Sequence, residues 1–165
     1  MSVFKAMEEA RIQEELKRQA REQAEQSDGR ARYDIYKNGI STQLARIDEL
    51  LEDEVRGARE MGGQGRIDRV DGVAVMEVVR RLWLSFPARH GRFVKYEFAI
   101  EIAARENESV RIRALEKVGE AAPREMDSRL REDIGPIDHP DLNARIQRKL
   151  SEIIQAARRL FDTMR

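Results

Sequence analysis

The chain has 165 residues, 38% of them charged, with Lys+Arg and Asp+Glu equal at 31 each. That length suits one ordinary domain with a real core, and the zero formal net charge leaves no global field to recruit nucleic acid or an anionic membrane. The absence of cysteine excludes disulfides, thiolate catalysis and cysteine-based zinc sites together, and it fits a reducing compartment. Charges begin at Lys5 and recur through Arg21, a pattern not expected of a signal-peptide core. No apolar run approaches the roughly 20 residues that span a bilayer. A cytoplasmic protein without a membrane partner is expected.

In chain order, Val3 to Gln26 reads as a polar helix with a thin apolar stripe of Val3, Phe4, Met7, Ile12 and Leu16. After Leu16 no large apolar side chain appears before Tyr33, while Glu14/Arg18, Arg18/Glu22 and Arg21/Glu25 are spaced for ion pairs one turn apart. Ser27-Asp28-Gly29 reads as a break, so residues 1–26 form an N-terminal helical arm and residues 30–165 the domain proper. Tyr33, Tyr36, Ile40, Leu44, Ile47, Leu51 and Val55 recur at threes and fours, which predicts a packed second helix ended by Gly62, Gly63 and Gly65. Arg66 to Gly72 is expected to be a loop, because Ile67-Asp68-Arg69-Val70 lacks strand alternation.

A third, central helix is expected over Val73 to Phe86, apolar around most of its circumference and stopped by Pro87. From Arg92 the series Phe93, Tyr96, Ile100, Ala103, Asn107, Val110 and Ala114 predicts either one long helix or two in line. Pro123 and Gly135-Pro136 bracket a short helix, and a last helix begins near Pro140 with Leu142, Ile146, Leu150, Ile153, Ala157 and Phe161 inward. The expected fold is therefore all-α, a five- or six-helix bundle with a polar, projecting N-terminal helix.

Composition changes character once. Val78 to Tyr96 contains no acid but holds Arg80, Arg81, Arg89, Arg92 and Lys95, and Trp83, Phe86, Phe93, Tyr96 and Phe98 crowd the same neighbourhood. Rings that stack on bases beside cations that contact phosphates are what single-stranded RNA or DNA binding requires. The plainer alternative puts the rings in the core and the arginines on its rim, with their stems packed against it.

Other motifs carry less. Gly62-Gly63-Gln64 matches three residues of the release-factor tip, but a helix-ending glycine cluster explains it better. His90 and His139 form no helical zinc or di-iron motif and read as turn or capping residues. Glu97 and Glu101 share a face, and Asp48 to Glu54 form an acidic run, yet catalysis would need a pocket that perturbs them. No metal and no cofactor is expected.

The leading functional expectation is a non-enzymatic helical subunit or adaptor of a larger assembly. It would bind another protein, or itself, through Phe4, Met7, Ile12 and Leu16. Second stands nucleic-acid binding through Arg80, Arg81, Arg89, Arg92 and Lys95. Third stands an enzyme whose site the fold assembles from distant positions.

Overall fold

The computed structural model describes residues 2–87 and 95–164. Helix α1 spans Val3–Gly39, and α2, Ser41–Glu60, follows after a kink at Ile40. A six-stranded antiparallel sheet comes next: β1 Gln64–Gly72, β2 Glu77–Ser85, β3 Tyr96–Arg105, β4 Arg111–Val118, and the two-residue strands β5 Arg124–Glu125 and β6 Glu132–Asp133. The first five strands lie in chain order, and β6 pairs with β4 beside β5. Helix α3, Leu142–Thr163, closes the chain.

The all-α helical bundle is therefore overturned: the described residues hold three helices and a sheet. The expected third helix is β2, the expected helix or helices beyond Arg92 are the β3–β4 hairpin, the expected loop at 66–72 lies in β1, and the short helix after Pro123 is replaced by β5, a 3-10 turn and β6. The cause is periodicity. Tyr96, Phe98, Ile100, Ile102 and Ala104 alternate with Glu97, Ala99, Glu101, Ala103 and Arg105, and a period of two contains every spacing of four. β2 reads as apolar all round because Val78, Leu82 and Leu84 are buried on one face of the sheet while Val79 and Trp83 are buried on the other.

The expected break at Ser27-Asp28-Gly29 is likewise absent, since α1 runs through it to Gly39. A single glycine costs about 1 kcal/mol inside a helix and, unlike proline, removes no hydrogen bond. The last helix stands where periodicity put it. Its Leu142, Ile146, Leu150, Ile153, Ala157 and Phe161 are buried.

The main core joins Leu44, Ile47 and Leu51 of α2 and the apolar face of α3 to Val78, Leu82, Phe98, Ile100, Ile102 and Ile112 of the sheet. On the reverse face Trp83, Ala99 and Leu115 line up across β2, β3 and β4 as a second, small cluster to which no helix contributes. The sheet thus has one face under helices, where Arg80 and Glu116 are buried, and an opposite face that carries most of its charged side chains.

Between β3 and β4 the chain turns through Asn107, which holds a left-handed φ of 59°. Asparagine tolerates this conformation because its short amide can bond locally, whereas a Cβ without that compensation meets the following carbonyl. Asn107→Ala is expected to lower stability by about 1 kcal/mol and Asn107→Gly to leave it level or slightly raised. Chemical denaturation of the two variants checks this, and equal midpoints for both would rule out a conformational cost.

Candidate functional site

α1 is about 55 Å long at 1.5 Å per residue, and Tyr33 is its only buried side chain. Glu22 to Arg32 still line a cavity with Val73, Ala74 and Met76, and the turns before Glu22 project from the body as an arm. Ser2 caps the start, accepting from the Lys5 amide at 3.3 Å. Ion pairs run along the helix: Arg11 with Glu8 at 3.2 Å, Arg18 with Glu15 at 2.6 Å and with Glu22 at 2.8 Å, and Arg30 with Asp34 at 3.3 Å. Each such pair contributes only tenths of a kcal/mol. Val3, Phe4, Met7, Ile12 and Leu16 all lie there, between 52% and 76% exposed. Phe4, Ile12 and Leu16 follow one i,i+4 ridge, with Val3 and Met7 beside its start.

The arm's root is fixed to the sheet. The Tyr33 hydroxyl donates to Asp71 Oδ1 at 2.6 Å, and the Lys37 ammonium donates to the same oxygen at 3.2 Å. The Tyr33 bond, followed by Lys37, holds the Asp71 carboxyl below its usual range, against a smaller opposing effect of burial. Burial and the neighbouring Asp71 push the Tyr33 hydroxyl well above its ordinary value. α1 leaves the body from a definite anchor.

The basic-aromatic segment is divided by its strand geometry. Arg80 and Arg81 are consecutive in β2 and point to opposite faces. Arg80 lies buried beneath α2, with its Nε donating to Asp48 Oδ1 at 2.8 Å. Arg81 lies on the other face and bonds Glu101 through its Nε. Lys95 is exposed and stands 4.0 Å from Glu97. Arg89 and Arg92, together with His90 and Phe93, lie outside the described residues. Tyr96 and Phe98 are core: their ring centroids are 6.4 Å apart, with Phe98 5.3 Å from Phe86 and Tyr96 6.2 Å from Phe161. Trp83 is only 4% exposed and lies under the Arg66 guanidinium, 5.1 Å from its centroid.

No protein-family model, curated protein or solved structure gives a significant match to this chain.

What sequence reasoning missed is a charge ladder across the face opposite the helices. Register places Asp68, Arg81, Glu101 and Arg113 side by side on four successive strands. Glu101 accepts from Arg81 Nε and, at 2.6 Å, from Arg113 Nε. Arg111 donates to Glu77 at 3.0 Å, and Arg131 grips Glu125 through two nitrogens at 3.0 and 2.5 Å. Glu97, the other member of the expected pair, is 3.7 Å from Arg66. The only signal in sequence was the two-residue spacing of charges inside apolar strands, which cannot name the partners across hairpins.

The remaining candidates take structural roles. His139 Nδ1 accepts from the Asp141 amide at 3.0 Å at the start of α3. Gly62, at φ 86°, turns the chain out of α2. Gly63 lies so close to the Ser85 carbonyl that a Cβ would meet it at 2.3 Å. Among the described residues no group of three His, Asp or Glu side chains is placed to hold a metal ion. Nor is any helix among them long and apolar enough to cross a membrane.

Proposed function

We propose that the protein is a non-catalytic, cytoplasmic interaction subunit that joins a larger assembly through its N-terminal arm, binding another protein or a second copy. The observation that carries this is the arm itself: five large apolar side chains held out on a capped helix, beyond reach of the core. Fully burying one such side chain contributes about 1.5 to 3 kcal/mol, so a partner that covers several gains enough to offset the cost of docking. The Tyr33–Asp71–Lys37 anchor supports the same reading, because a helix fixed at its root presents its ridge in a defined direction. The cytoplasmic placement is supported by the cysteine-free composition.

A Phe4→Ser, Met7→Ser, Ile12→Ser, Leu16→Ser variant is expected to run as an isolated chain where the native protein runs as an assembly, alone or with its cellular partner. Its melting temperature should stay within about 2 °C, since exposed positions contribute little to stability. Light scattering coupled to size exclusion reads both. An assembly that survives the four substitutions would remove the arm from the interface.

A further inference from the structure

We propose that the sheet face opposite the helices binds a single phosphate group, free or carried by a small molecule, in the cavity bounded by Arg111, Arg113 and Arg131. This site is separate from the arm and does not depend on the arm's role.

The cavity has a volume of about 330 Å³ and is lined by these arginines together with Glu77, Glu101 and Ala103. It exists because Ala103, in register between Val79 and Arg111, places a methyl group where its neighbours carry long side chains. The lining holds both signs of charge, but not at the same depth. The Glu101 side chain is 8% exposed against 41% for Arg113, Glu77 19% against 49% for Arg111, and Glu125 22% against 57% for Arg131. Carboxylates lie beneath and guanidinium groups lie outside, so an arriving solute meets cations although the whole chain is neutral.

Among the described residues those cations also have donors to spare. Arg113 uses only its Nε on Glu101, and Arg111 uses only one terminal nitrogen on Glu77. Arg131 keeps a terminal nitrogen beyond the two on Glu125. Guanidinium is the group best matched to oxyanions, because its planar fork offers parallel N–H bonds at fixed spacing. Three guanidinium groups around one cavity suit the three outer oxygens of a phosphate better than the two of a carboxylate. The more exposed Arg111–Glu77 and Arg131–Glu125 pairs are individually weak, so an anion can share those arginines while Arg81 and Arg113 keep their bonds to the buried Glu101.

Calorimetric titration of the full chain at low ionic strength tests this, with inorganic phosphate, ribose 5-phosphate and ribose as probes and chloride matched for ionic strength. One-to-one saturable binding of phosphate is expected. Tighter binding of ribose 5-phosphate, with none of ribose, would assign a phosphorylated small molecule; equal affinities would assign free phosphate. Arg113→Gln and Arg131→Gln should each weaken binding about tenfold, the scale for losing a hydrogen bond between charged partners. Glu77→Gln releases Arg111 and should tighten binding. Arg124→Gln, outside the cavity, should change nothing. Should Arg113→Gln melt early, Arg131→Gln and Glu77→Gln decide the matter. Heat reproduced by chloride, equal loss in Arg124→Gln, or saturable binding of a single-stranded oligonucleotide but of neither phosphate probe would each overturn the proposal.

Discussion

Asp48→Ala is expected to destabilise the fold by about 3 to 5 kcal/mol, the scale for stranding one member of a buried ion pair. Arg80 stands on the helix-covered face of β2 between Val78 and Leu82, and its side chain is 5% exposed. Its Nε bonds Asp48, and one terminal nitrogen reaches the Val79 carbonyl at 3.3 Å. Without Asp48 that carbonyl is the one hydrogen-bond acceptor the guanidinium retains among the described residues, in a setting where an unpaired charge is costly. The melting temperature should fall by about 10 °C, at a few degrees per kcal/mol for a chain of this size. The double variant Asp48→Leu, Arg80→Met should recover most of the loss, because replacing both partners with apolar groups of similar volume is often neutral. Denaturant titration of Asp48→Leu, Arg80→Met and the double completes the cycle. A single-variant loss under 1 kcal/mol, or a double variant no better than the sum of its parts, would show that the pair is not a stabilising unit.

The same residue shows why the fold was only partly legible. Read as a helix, Arg80 and Arg81 sit on one basic rim; in a strand they are separated by the sheet. β2 is buried on both faces, and such a strand resembles a buried helix when only its apolar content is counted. β3 could have been recognised, since Tyr96 to Arg105 alternates strictly if Ala99 and Ala103 are taken as small residues on the charged face. Counting Ile100 and Ala103 into one helical series crossed from one face of the sheet to the other. The exposure of the first helix was legible, though its extent to Gly39 was not, because sparse apolar residues between close ion pairs leave little to pack against a core. The charge ladder was not legible. Its contacts join residues 20 and 12 positions apart, and a one-residue change in either hairpin's register would send each partner to the other face.

At the centre of that ladder, Glu101→Gln is expected to cost about 3 kcal/mol at pH 7, the low end of the range for a buried pair because the amide still accepts one bond. Glu101 is 7% exposed, and two guanidinium groups reach it from neighbouring strands. Burial pushes its carboxyl upward, but Arg113 and Arg81 outweigh that and hold it below the usual range. The sign of the pH dependence follows. A carboxyl whose folded pKa lies below its unfolded value of about 4.3 stabilises the fold fully above that value, and the contribution drains away as pH falls through the depressed folded pKa. Native protein and variant should therefore differ most at neutral pH and converge in acid. Comparing the two removes the other carboxylates, including Glu125 beside Arg131, because they titrate alike in both. Urea titrations at pH 7 and pH 3 supply the measurement. A gap that stays constant between these pH values would mean that Glu101 stabilises by shape and hydrogen bonding rather than by charge. The ladder would then be a packing device, and the exposed guanidinium groups above it would be less firmly held in place.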